Sequence, residues 1–157
     1  MIEIRNLTRV QIDENFLKRI AKSVFKNEVY SEAKRSVKNE GVKKLELSIA
    51  LVGCSRMKKL NKIYRHKNRI TDVLAFGENP CLAGRQEKLD ELGFGEIAIC
   101  LREVRKNAKR YGTTFKKELI RVLIHGILHL LGFNHQSLKE AKKMKQKEEY
   151  YLSAGYV

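Results

Sequence analysis

The sequence predicts an α+β fold in which a small sheet is packed by helices. Three observations lead there: four short apolar or alternating runs that read as strands, helical periodicities mixed with them early and consecutive late, and a length of 157 residues, enough for one core. No internal repeat, low-complexity tract or linker divides the chain, so residues 1–157 are expected to form a single domain.

In "MIEIRN" Ile2 and Ile4 alternate with Glu3 and Arg5, the pattern of a strand with one buried face. From Asp13, a residue suited to cap a helix, Phe16, Leu17, Ile20, Val24 and Phe25 recur at helical spacing. A second short helix is expected from Ser31 towards Asn39, stopped by Gly41. "KLELSIALVG" then reads as a strand and "SRMKKLNKIYR" as a helix capped by Ser55, while "TDVLAF" and "GEIAIC" read as two more strands. Between those two lies a stretch with the only proline and no period, expected to be a loop from Gly77 to Gly93. Three helices follow: "LREVRKNAKRYG" to Gly112, Thr114 to Leu131 stopped by Gly132, and Ser137 to about Ser153. The last is expected to be amphipathic and packed through Leu138, Ala141, Met144 and Leu152.

Composition narrows the setting. No run of eighteen apolar residues occurs and the start is charged from Glu3, so neither a membrane span nor a leader is expected, which implies the cytoplasm. Cys54, Cys81 and Cys100 are odd in number and lack any CxxC pair, which argues for reduced thiols over disulfides or a thiolate metal site. The 33 Lys and Arg against 18 Asp and Glu leave a net charge of +15, a one-sided excess that suits a polyanionic partner. Nucleic acid is the expected one.

"HGILHLLGFNH", residues 125 to 135, holds three of the four histidines. Four residues turn a helix by about 400° and raise it by about 6 Å, so His125 and His129 share a face and can reach one ion. Gly132 can turn the chain sharply after the helix, which lets His135 fold back as a third donor. Three neutral imidazoles and an open fourth position are what a catalytic zinc requires, and one ion per chain is expected, with no organic cofactor. The flanking run "LIRVLIHGILHLLGF" is apolar nearly all round, so the helix should be buried and its histidines should need polar partners or a metal. His66 lies outside the pattern and reads as a solvated helix-end residue.

A zinc protease helix carries its glutamate general base where this chain has Gly126. Amide hydrolysis by that route is disfavoured. A metal can still lower the pKa of its water to around 7, which suits a substrate with a better leaving group or an internal nucleophile, such as an RNA phosphodiester. Gly126 itself costs a helix about 1 kcal/mol against alanine, so something should approach it closely.

With these residues the sequence resembles the YbeY family of bacterial metal-dependent endoribonucleases, which act in ribosomal RNA maturation and ribosome quality control. The resemblance lies in "HGILHLLGFNH", in "LNKIYRHKNRITDVLAF" and in the strand "GEIAIC", in that order. It implies a small mixed, mainly parallel four-stranded sheet packed by helices, with a metzincin-like metal-binding helix. By position it makes His125, His129 and His135 the zinc ligands and Arg65 a catalytic arginine that holds the scissile phosphate through its planar fork of donors. Asn134 stands where the family usually has aspartate, and with Glu118, seven residues before His125, it is a candidate for orienting an imidazole; for Glu118 an ion pair at the helix start or surface is the equal alternative. The expected partners are RNA, in particular ribosomal RNA precursor, and the small ribosomal subunit; cleavage of single-stranded regions is the expected activity. Two rivals remain beside this metal-dependent hydrolase: a ribosome-assembly factor with a structural metal and no catalysis, and a small metallopeptidase.

Overall fold

Alternation along the strands decides how the layers form. The computed structural model describes residues 1–33, 46–77 and 94–155. It contains β1 (Ile2–Asn6), α1 (Glu14–Ala33), β2 (Glu46–Val52), α2 (Cys54–Arg65), β3 (Val73–Gly77), β4 (Phe94–Cys100), α3 (Leu101–Arg110), α4 (Phe115–Leu130) and α5 (Leu138–Ser153). One sheet runs in the order β1-β2-β4-β3, with β1, β2 and β4 parallel and β3 antiparallel at the edge. Leu47, Ile49 and Leu51 of β2 and Ile97 and Ile99 of β4 join a core with α1 and α4. Their alternate neighbours Val52, Ala98 and Cys100 pack with Leu74 under Met57 and Leu60 of α2. The α+β fold with a mixed, mainly parallel four-stranded sheet is therefore present.

α4 is the central helix, and its apolar residues from Leu119 to Leu130 are buried against the sheet, α1 and α3. Thr114 caps it by accepting from the Lys117 N–H at 3.2 Å. At its other end the Gly132 N–H donates to the His129 carbonyl and the Phe133 N–H to the Leu128 carbonyl, with Gly132 at φ 83°. These are the two bonds of a Schellman motif, which only a residue tolerant of positive φ closes without strain.

Three expectations change. α1 continues without a break through Ser31 to Ala33, so no second helix starts at Ser31. Residues 34–45 lie outside the described residues, as do Cys81 and the expected loop beyond Gly77. The N-cap of α2 lies two residues earlier than expected: it is Gly53, and the Met57 N–H donates to the Gly53 carbonyl at 3.0 Å, so Ser55 is inside the helix. Leu138 is 92% exposed because it lies about 120° around α5 from Met144. Of the expected face Met144 is buried and Leu152 packs against the core, and Tyr151 joins them; Met144 and Tyr151 are both at 2% exposure or less.

Cys54 and Cys100 are free thiols with sulfurs 3.7 Å apart. Burial pushes the Cys100 thiol up to about 11, so it stays protonated. Among the described residues no helix is long and apolar enough to cross a membrane.

Candidate metal centre

The Schellman turn after α4 determines where His135 goes. It reverses the chain so that the His135 ring stands 5.0 Å from that of His129 and 5.7 Å from that of His125, which are themselves 4.6 Å apart. One nitrogen from each ring lies within 4.8 Å of the others, so the three histidines could hold a metal ion. The Nε2 atoms of His125 and His129 face each other at 3.0 Å. Two nitrogens on one tetrahedral ion at about 2.0–2.1 Å would stand about 3.4 Å apart, so the rings need only a small adjustment to share one.

Two of the histidines have a second partner outside the cluster. His125 Nδ1 is 2.5 Å from Glu148 Oε1, and the His129 ring is hydrogen-bonded to the Phe133 backbone. A neutral tautomer with its proton on the outward nitrogen turns a lone pair inward, which is the form in which the paired inward nitrogens can bind a cation. Burial, then the neighbouring His125 and His135, and then the charge of Arg65 push the His129 pKa down to about 4. The ring is neutral at pH 7, as a ligand must be. Neutral nitrogen donors of this kind fit zinc, nickel or copper better than a hard, oxygen-seeking ion such as magnesium.

Glu148 reaches His125 because α5 is docked by more than its apolar face. Glu28, buried in α1, accepts from Lys147 Nζ at 2.8 and 3.0 Å and from the Tyr151 hydroxyl. The buried Glu118 carboxylate accepts two bonds from Arg121, at 2.6 and 3.0 Å, and so does not reach the imidazoles itself. Arg121 also lies 4.0 Å from Glu148 and 3.9 Å from Asp72. Its bonds to Glu118 outweigh desolvation and hold its pKa above the usual guanidinium value. The result is a chain of charge from Glu118 through Arg121 and Glu148 to His125.

Arg65, the last residue of α2, donates from Nη2 to the Ala75 carbonyl on β3 at 2.9 Å. Its positive charge adds, as the weakest named cause, to the lowering of the His129 pKa. Asn134 accepts from the Gln136 N–H at 3.3 Å, inside the bend that delivers His135. His66 is exposed and caps α2 at φ 56°. Gly126 faces the sheet: a Cβ there would lie 3.2 Å from both Ile97 Cγ2 and Val73 Cγ2. The close approach expected of Gly126 is thus made by two strands, and a glutamate at this position would have to displace them.

Glu148, Arg121 and Asp72 went unnoticed in the sequence. The available signal was the spacing of Met144, Glu148 and Tyr151 along one face of α5, which the apolar Leu138 obscured.

A family model described as Endoribonuclease YbeY matches residues 3–155. A protein named Endoribonuclease YbeY from Thermodesulfovibrio yellowstonii is 41% identical over 138 residues, 87% of this chain and 82% of that one. Another of the same name from Carboxydothermus hydrogenoformans is 37% identical over 155 residues, 98% of this chain and 96% of that one. A solution structure of a Thermotoga maritima protein superposes with a TM-score of 0.58 at 31% identity, covering 97% of this chain and 87% of that one.

Proposed function

This chain belongs to the YbeY endoribonuclease family, and on that premise we propose that it is a zinc-dependent endoribonuclease that cuts single-stranded regions of ribosomal RNA precursor in the cytoplasm, serving rRNA maturation and ribosome quality control at the small subunit. RNA hydrolysis follows from membership; the metal, the precursor and the setting are the finer reading. The observation that supports it most is the convergence of three imidazoles, one nitrogen from each within 4.8 Å of the others.

His125, His129 and His135 would hold the ion. When bound, zinc supplies Lewis acidity, which lowers the pKa of a water and offsets charge on a phosphate oxygen. Glu148 fixes the tautomer and direction of the His125 ring, and Arg121 holds Glu148 in place. Arg65 clamps the scissile phosphate: its Nη2 is anchored on the Ala75 carbonyl, which leaves its other N–H donors for phosphate oxygens. These donors offset the charge that grows as the leaving oxygen departs. The wedge of Ile97 and Val73 against Gly126 opposes the peptidase alternative, because the Cβ of a glutamate there would press to 3.2 Å on both side chains and require them to shift.

Arg65→Ala tests the division of labour. RNA cleavage should fall by about a hundredfold or more, in the range for loss of a transition-state donor. Zinc content should stay at one ion per chain. Loss of zinc together with activity would mean that Arg65 supports the site's structure.

A further inference from the structure

The segment from Gly53 to Thr71 contains no acidic residue, and its Arg56, Lys58, Lys59, Lys62, Arg65, Lys67 and Arg69 are all exposed. Only Met57 and Asn61 of α2 are buried. Lys62 and Arg65 in the last turn complement the helix macrodipole, whereas Arg56 in the first turn opposes it and Lys58, Lys59, Lys67 and Arg69 lie outside its reach, so helix stability accounts for only part of this surface. A polyanion accounts for all of it.

Where the chain leaves α2 the surface changes character. Tyr64 is 60% exposed, and its ring meets that of Phe76 on β3 at 5.0 Å between centroids and 54° between planes. The Arg65 guanidinium lies 5.9 Å from the Phe76 centroid. His66 follows in the left-handed region at φ 56°, which costs a non-glycine residue about 1 kcal/mol or more and turns the chain immediately after Tyr64 and Arg65. The rings of Tyr64 and Phe76 and the Arg65 guanidinium are thus gathered at the end of a basic helix.

We propose that Tyr64 and Phe76 form a nucleobase-stacking subsite that takes one unpaired nucleotide next to the phosphate held by Arg65, and that the basic face of α2 leads the strand to it. The inference rests on the endoribonuclease reading and adds how the single strand is selected. Every base has a π-face, so an aromatic platform with a neighbouring arginine binds unpaired bases without reading sequence. A duplex has its bases stacked on one another and cannot offer one.

Cleavage kinetics of a single-stranded oligoribonucleotide carrying 2-aminopurine, with zinc-loaded wild type, Tyr64→Ala and Tyr64→Phe, test this. Tyr64→Ala should raise KM about tenfold, the loss of one stacked base, with kcat within about threefold and zinc content unchanged. The quench of 2-aminopurine on binding should disappear in Tyr64→Ala, and Tyr64→Phe, which keeps the ring, should restore both. Wild type that cuts RNA while Tyr64→Ala keeps its KM and quench overturns the stacking subsite alone. Wild type that cuts no RNA overturns the endoribonuclease reading and this inference with it.

Discussion

His125 Nδ1 and Glu148 Oε1 are 2.5 Å apart, and that contact sets the aim of one of three imidazoles. Removing the carboxylate by Glu148→Ala should weaken zinc binding by about 10–100-fold, the usual effect of losing such a partner. Competition with a chromogenic chelator measures it, and unchanged affinity would show that His125 holds its own orientation. His129 makes a separate, metal-free test. Its folded pKa of about 4 lies below the ordinary 6.5, so between those values the unfolded chain binds the extra proton. Stability present above pH 6.5 should therefore erode as pH falls towards 4, and the ring protons of His129 in the metal-free protein should titrate near the lower value. A midpoint near 6.5 would contradict the burial assigned to it. The three histidines were readable because they lie within one helix and one turn, where spacing alone fixes geometry. Glu148 was not, because it sits on another helix whose rotation depends on Glu28, Lys147 and Tyr151.

At the scale of elements, α4 combines two demands that usually conflict. Gly126 gives up about 1 kcal/mol of helix propensity, and in return the helix lies close against Ile97 and Val73. Both neighbours are β-branched and stiff at χ1, so they cannot rotate away from an added methyl. Overpacking of this kind costs about 1–3 kcal/mol. Gly126→Ala should consequently destabilise the protein by about 1 kcal/mol net in urea unfolding, whereas helix propensity alone would make it more stable. An increase in the midpoint would mean that the strands yield. The bounds of α4 and α5 were readable from Thr114, Gly132 and Ser137, each of which forms the cap its chemistry suggests. The docked face of α5 was misjudged through Leu138, since periodicity identifies an apolar stripe but not which residues of it meet a partner.

For the whole molecule, the sheet order places the edge strand β3 between the end of α2, with Arg65, and the histidines of α4. Sequence gives the four strands in order but no pairing, because β4 inserts between β2 and β3 and the contact of Arg65 with Ala75 depends on that insertion. The net charge of +15 was readable at once; α3 and α5 carry as many basic residues as α2, but residues 53–71 have no acidic residue among them, and it is that unrelieved sign on α2 that suits it to a path for RNA. On the function proposed, the three histidines hold a zinc ion which the chain uses to cut RNA. Metal analysis paired with cleavage of ribosomal precursor RNA, on wild type and His129→Ala side by side, tests it most directly. Wild type should carry one zinc per chain and cut, and His129→Ala should lose metal and cleavage together. Cleavage retained by metal-free His129→Ala would contradict the claim, as would zinc-loaded wild type that does not cut, the behaviour of an assembly factor with a structural metal.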